Sequence, residues 1–404
     1  MSTDDLSDPM FPKIPGYGWT PILPGKCFGF DQIYPSLVLQ YDNMGESFSI
    51  KGEVIPRILE FKFDAGTSRG ILKKRKTFLV KVTSSTFPGF VGYGEAGPLV
   101  GLSVDDREDF PEQVNLVLER IQKMEIPIHP EKILQMLNDT VPPSLPSLQF
   151  ALETALLDLI NGGKRRMFSN GFFDDNQAIP INGLIWMGNE DFMLNQIKAK
   201  IEEGYTCIKI KIGAIDFEQE CAVLKFIRNQ FSASDITIRV DANGAFGLKE
   251  ALGKLSVISK FHVHSIEQPI PKGNAEAMAE LCRKTPVPIA LDEELIGIDG
   301  HEISSQLLDD IQPQYIILKP TLLGGIKKTR EWINMAEERN IGWWMTSALE
   351  SNIGLNAIAQ FTSTFKPILP QGLGTGQLYH NNFGSPLKIE NGRLWYDSNI
   401  QWEL

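Results

Sequence analysis

Residues 206–241 read TCIKIKIGAIDFEQECAVLKFIRNQFSASDITIRVD. A β-branched run, TCIKIKI, is followed from 217 by FEQECAVLKFIRNQF, whose apolar positions recur at helical spacing. A second β-branched run, ITIRVD, begins at 236. Strand, helix and strand in this order form the unit of a parallel sheet, because parallel neighbours need a long crossover.

The unit repeats outward in both directions. AIPINGLIW from 178 precedes it. HVHSIEQ from 262, VPIALD from 287, QYIILK from 314, GWWMTS from 342 and a weaker PILPQG from 367 follow. The starts lie about 25 to 30 residues apart, the length needed by a strand, a helix and two short loops. LKEALGKLSVISKF after 248 and IKKTREWINMAEER after 326 supply further helical periodicity. Eight strands alternating with seven helices predict an α/β fold, a (β/α)7β barrel spanning 178–372. The alternative, an open doubly wound sheet, is disfavoured because no Gly-rich dinucleotide loop follows the first strand.

Residues 1–160 have a different pattern. LVLQYDN (37–43), ILEFKFDA (58–65) and KTFLVKVTSS (76–85) predict antiparallel strands, with helices after 106 and 147. The last helix, SLQFALETALLDLI, stops at Asn161-Gly162-Gly163. This is an α+β capping domain. Residues 1–30 are a Pro- and Gly-rich irregular extension, and residues 373–404 are expected to return to the capping domain.

Apolar residues make up 42% and charged residues 22%, as in soluble globular proteins. The net charge of −11, without a basic face, argues against nucleic acid or an anionic membrane as partner. The densest basic run, Lys73-Lys74-Arg75-Lys76, reads as a solvated lead-in to a strand. No apolar run reaches the roughly 18 residues that span a bilayer, and the acidic start MSTDDLSDPM has no leader pattern. The cysteines Cys27, Cys207, Cys221 and Cys282 are scattered. Together these predict a cytoplasmic protein with inert thiols. The oligomeric state is not encoded in these features.

The chemistry lies where the strands end, the end at which barrels of this kind carry their catalytic groups. Strand two ends in Lys209-Ile210-Lys211, strand three in Asp241, strand four in Glu267, strand five in Asp292 and strand six in Lys319. Charges inside a barrel mouth are costly unless paired or metal-bound. Three carboxylates on adjacent strands suit one hard cation, magnesium or manganese rather than zinc. Strands two and six lie across the ring, so Lys211 and Lys319 reach opposite faces of a small-molecule carboxylate substrate. Such a set suits proton abstraction next to a carboxylate. Alternation puts Lys209 and Lys211 on one face, with Lys211 nearer the mouth as the base. Burial, the cation and Lys209 are expected to lower its pKa.

These residues resemble the enolase superfamily and, within it, the o-succinylbenzoate synthase family of menaquinone biosynthesis. The carrying motifs are Lys209-x-Lys211, Val240-Asp241-Ala242-Asn243-Gly244, Glu267-Gln268-Pro269, Asp292-Glu293 and Leu318-Lys319-Pro320. Thr67-Ser68-Arg69-Gly70 and Gly94-Glu95-Ala96-Gly97-Pro98-Leu99 look like the family's capping loops. Ser347-Ala348-Leu349-Glu350-Ser351 and Gly372-Leu373-Gly374-Thr375-Gly376 look like its barrel loops. The resemblance implies magnesium on Asp241, Glu267 and Asp292, with Lys211 as base and then acid. It implies Lys319 as the charge that stabilises an enediolate, with Lys209 beside them in the catalytic set. The implied reaction is dehydration of a hydroxycyclohexadiene carboxylate to an aromatic product.

Ser68, Arg69, Asn243, Ser347, Ser351, Gly374 and Thr375 are the expected substrate contacts, with a surface loop as the lesser alternative for Arg69. Arg239 shares the parity of Asp241; orienting the substrate array and a buried ion pair are both open to it. An Asp-x-Asp after the last strand, as in dipeptide epimerases, is missing, since the only aspartate after Asp310 is Asp397. The nearest rival function is an N-succinylamino acid racemase with the same two lysines. A zinc hydrolase built on His262-x-His264 lacks further histidines on later barrel strands, and parity points both toward the helices. A Schiff-base aldolase on Lys319 leaves three carboxylates without work, and a non-catalytic barrel leaves the charges at all five strand ends without work.

Overall fold

The computed structural model describes residues 46–67, 70–367 and 369–404. The extension 1–30, the strand expected at 37–43, and Ser68 and Arg69 lie outside the described residues.

In Cys207–Lys211 the isoleucines face the helical layer, while Cys207, Lys209 and Lys211 face the barrel axis. Both faces are buried, as parallel sheets require. The same logic builds seven parallel strands that neighbour one another in chain order. They are Gly183–Ile185, Cys207–Lys211, Thr237–Asp241, Ser265–Glu267, Ile289–Leu291, Tyr315–Leu318 and Gly342–Met345. Between and after them run helices Glu190–Glu202, Phe217–Gln230, Ala251–Ile258, Ala275–Lys284, His301–Ile311, Gly325–Glu338 and Asn352–Ser363.

Two residues close the ring. Gly372 N donates to Met345 O (2.7 Å) and accepts at its carbonyl from Ser347 N (2.9 Å). Gln371 N donates to Pro180 O (2.8 Å), and its carbonyl accepts from Asn182 N (2.9 Å). The eighth strand is this short because Pro367 and Pro370 have no N–H to give a ladder. Gly372 is needed there, since a Cβ would lie 2.5 Å from the Thr346 hydroxyl.

The capping domain is an antiparallel sheet of Lys51–Thr67, Gly70–Thr83 and Gly92–Ala96. Helix Pro146–Ile160, buried along its whole length, packs on it. That approach is so close that a Cβ on Gly94 would sit 1.9 Å from Ala151 O. In the basic run, Lys73, Lys74 and Lys76 are exposed but Arg75 is buried, which corrects the expectation of a uniformly solvated stretch. Alternation places Arg75 with Thr77 on the inner face.

The C-terminal segment divides. Tyr379 bridges Phe61, and Leu378 O accepts from Lys62 N, so this part lies on the capping sheet. The hairpin Leu387–Glu390 and Arg393–Tyr396 instead adds to Ile179–Pro180, just before the first barrel strand. No helix among the described residues is long and apolar enough to cross a membrane.

Candidate active site

The strand register sets the acids side by side. Lys211 pairs with Asp241 and Asp241 with Glu267, while Asp292 directly follows its strand and Lys319 follows the next. Lys209 Nζ lies between two of the acids, 2.8 Å from Asp241 Oδ2 and 2.6 Å from Glu267 Oε2. Lys211 Nζ is 3.0 Å from Asp241 Oδ2, and Lys319 Nζ donates to Asp292 Oδ2. Lys211 and Lys319 thus stand at opposite ends of the acid row. Asp241, Glu267 and Asp292 are at most 2% exposed, and Lys319 is 9% exposed.

Burial alone would raise the Asp241 carboxyl, but the Lys209 and Lys211 ammonium groups outweigh it and hold it well below the usual range. Burial, then the negative charge of Asp241, pushes Glu267 up to about 8. Burial likewise raises Asp292 against the pull of Lys319. Burial favours neutral lysines, yet the acids raise Lys209 and Lys319 above their ordinary value.

No three acidic, histidine or cysteine side chains among the described residues are gathered tightly enough to grip an ion as they stand. The chemistry of the donor set nevertheless fits a hard cation. Three buried carboxylates share one wall, and Glu267 Oε1 is buried without a hydrogen-bond partner.

The expected substrate contacts separate. Asn243 reaches the site, where its Oδ1 accepts from Lys211 Nζ at 2.7 Å. Thr375 Oγ1 donates to Ser347 Oγ at 2.7 Å, and Ser347 donates to Glu350; Gly374 begins the same short turn as Thr375. Ser351 is fully buried, caps helix Asn352–Ser363 and bonds Glu95, so it has no face toward a substrate. Arg239 lies one layer below Asp241. Its guanidinium sits 3.8 Å over the Trp344 ring and donates to Pro370 O, and among the described residues it forms no salt bridge. The buried ion pair open to it in the sequence is therefore not formed among the described residues.

His264 is a correction as well. Its ring lies 5.2 Å from Tyr315 and 6.4 Å from Trp344 on the barrel floor rather than under the helices. It precedes the strand, which begins at Ser265, so strand parity does not govern it. Burial and nearby Arg239 push its pKa down to about 3, which leaves it neutral.

Four contributors were not among the expected site residues. Gln268 accepts from Asp292 N (3.2 Å) and Glu294 N (3.3 Å), pinning the turn after the fifth strand. Glu293 accepts from Asn243 Nδ2 at 3.0 Å. Arg75 donates to Gly97 O and Ala348 O, and Glu95 accepts from Ser351 and Gly354, so capping sheet and barrel loop are held together. The acidic triplet Asp292-Glu293-Glu294, of which the metal expectation used only Asp292, was the available clue for Glu293.

The chain is similar to known proteins in sequence and in fold. The family model "Enolase C-terminal domain-like" matches residues 193–399. The chain is 48% identical over 358 residues to an o-succinylbenzoate synthase of Desulfotalea psychrophila, covering 83% of this chain and 96% of that protein. The crystal structure of MenC from Desulfotalea psychrophila superimposes with a TM-score of 0.76 at 43% identity, covering 86% of this chain and 99% of that one. An N-succinylamino acid racemase of Thermus thermophilus is 29% identical, covering 74% of this chain and 78% of the racemase. A barrel with this acid row, matched in sequence and in fold, belongs to the enolase superfamily.

Proposed function

We propose that this chain is an o-succinylbenzoate synthase. It would carry out the magnesium-dependent syn-dehydration of 2-succinyl-6-hydroxy-2,4-cyclohexadiene-1-carboxylate in cytoplasmic menaquinone biosynthesis. The observation that carries the reaction class is the placement of Lys211 and Lys319 at opposite ends of the acid row. The 48% identity supports the choice of member.

Asp241, Glu267 and Asp292 would hold the cation, which supplies positive charge to the substrate carboxylate as its α-carbon loses a proton. Lys211 takes that proton. Lys319, as an ammonium, faces the developing negative charge from the other side. Lys211 then returns its proton to the departing hydroxyl on the same face, so the balance is loss of one water and gain of an aromatic ring. Positioned general acid–base catalysis of this kind contributes roughly 10²–10⁴-fold.

The test is a direct assay of the purified chain with magnesium, comparing dehydration of the cyclohexadiene carboxylate with racemisation of N-succinyl amino acids. Faster dehydration supports the reading. Faster racemisation would make it an N-succinylamino acid racemase, since two opposed lysines also suit proton exchange on both faces. Covalent trapping of Lys319 by borohydride would indicate Schiff-base chemistry instead.

A further inference from the structure

We propose that Asn243 and Glu293 are positioning residues that aim the amine of Lys211, an inference resting on the reading of Lys211 as the base. Lys211 Nζ lies 2.7 Å from Asn243 Oδ1, and Asn243 Nδ2 lies 3.0 Å from Glu293 Oε1. Both ends of this chain are fixed. Asn243 sits at φ 44°, in the left-handed region that asparagine tolerates, and its backbone N–H donates to Asp241 Oδ1 at 3.0 Å. Glu293 is 6% exposed, in the turn pinned by Gln268.

The direction of the amide follows from chemistry. A carboxylate only accepts hydrogen bonds, so Glu293 draws the NH₂ of Asn243 toward itself and turns the carbonyl oxygen to Lys211. Lys211 must therefore donate to Asn243, and it also donates to Asp241 Oδ2 at 3.0 Å. In the free-base form that accepts the substrate proton, an amine with both hydrogens so engaged has one tetrahedral direction left for its lone pair. A glutamine at 293 would either donate or accept, so the amide of Asn243, and with it the amine, would lose its fixed orientation.

The test uses the magnesium-loaded full chain and the variants Glu293→Gln, Asn243→Gly and the double. Glycine removes the side chain without straining the left-handed backbone. Each single variant is expected to lower kcat for dehydration, roughly tenfold to a hundredfold, with KM within about twofold. The double variant should be no slower than Asn243→Gly, because Glu293 acts through Asn243. Magnesium affinity by calorimetry should not change. Additive losses overturn the relay. A raised KM at full kcat overturns it by making Asn243 a substrate contact. Weakened magnesium binding that parallels the loss overturns it by assigning the pair to the metal. A wild type inactive in dehydration refutes the functional reading instead. Crystal structures then still decide the relay: Lys211 Nζ should stay on Asn243 Oδ1 in the wild type and leave it in Glu293→Gln, and an unmoved amine overturns the proposal.

Discussion

Glu95 Oε1 lies 3.0 Å from the backbone nitrogen of Ser351, across the seam between capping sheet and barrel. The same carboxylate accepts from the Ser351 hydroxyl, from Gly354 N at 3.1 Å and from the Thr77 hydroxyl at 2.8 Å. It therefore caps the first turn of helix Asn352–Ser363 from another domain, where orphan N–H groups and the helix dipole favour negative charge.

Removing that carboxylate strands several buried donors. Glu95→Ala is expected to destabilise the protein by about 2–4 kcal/mol in urea unfolding. Ser351→Ala should cost about 1–2 kcal/mol as a lost cap and leave KM alone. A change under about 0.5 kcal/mol for Glu95→Ala would mean that the seam does not depend on it.

Lys211→Ala should abolish measurable dehydration while magnesium affinity, read by calorimetry, stays close to wild type. Its nitrogen is 3.0 Å from only one of the three acids, and Lys209 serves that acid too. Activity near wild type would remove Lys211 from the role of base.

Asp241→Asn should weaken magnesium binding and turnover together, each by tenfold or more. It also removes the acid that pairs Lys211, while Lys209 keeps Glu267, and unpairing a buried ammonium group costs about 3–5 kcal/mol. A lowered melting temperature that magnesium no longer raises is the expected signature. Unchanged metal affinity would take Asp241 out of the ligand set.

The barrel was legible because each strand and each helix carries its own period. The acid row was legible because a buried charge at a strand end is expensive enough to stand out. What failed were inferences of direction. Arg75 was hidden inside a run of exposed lysines, although alternation with Thr77 turns it inward. His264 precedes its strand, so parity misplaced it. Ser351 carries the same hydroxyl as Ser347, yet one caps a helix and the other bonds Thr375 and Glu350. Only the third dimension separates those uses. Glu293 and Gln268 act through a turn, where no periodicity exists to be read.

Glu153, on helix Pro146–Ile160, offers a pH test of the contact between domains. It accepts from Ile326 N at the start of helix Gly325–Glu338 and from Gln149 Nε2 at 2.8 Å. Burial pushes its pKa up to about 8 from an ordinary 4.5, against these hydrogen bonds. A carboxyl whose folded pKa is raised holds its proton longer in the folded state, so the unfolded chain binds fewer protons between the two values. Stability therefore falls as pH rises from about 4.5 and levels off above about 8, by at most about 1.4 kcal/mol for each pH unit crossed. Asp105 and Asp158, both raised by burial to about 6, add to the slope only below that pH. Between pH 6 and 8 the difference between wild type and Glu153→Gln isolates Glu153, because glutamine mimics the protonated acid and cannot ionise. The wild type should lose stability relative to the variant across that window, as read by urea midpoints at matched ionic strength. Parallel curves would mean that Glu153 is already ionised in the folded protein and that its bonds to the helix start outweigh burial.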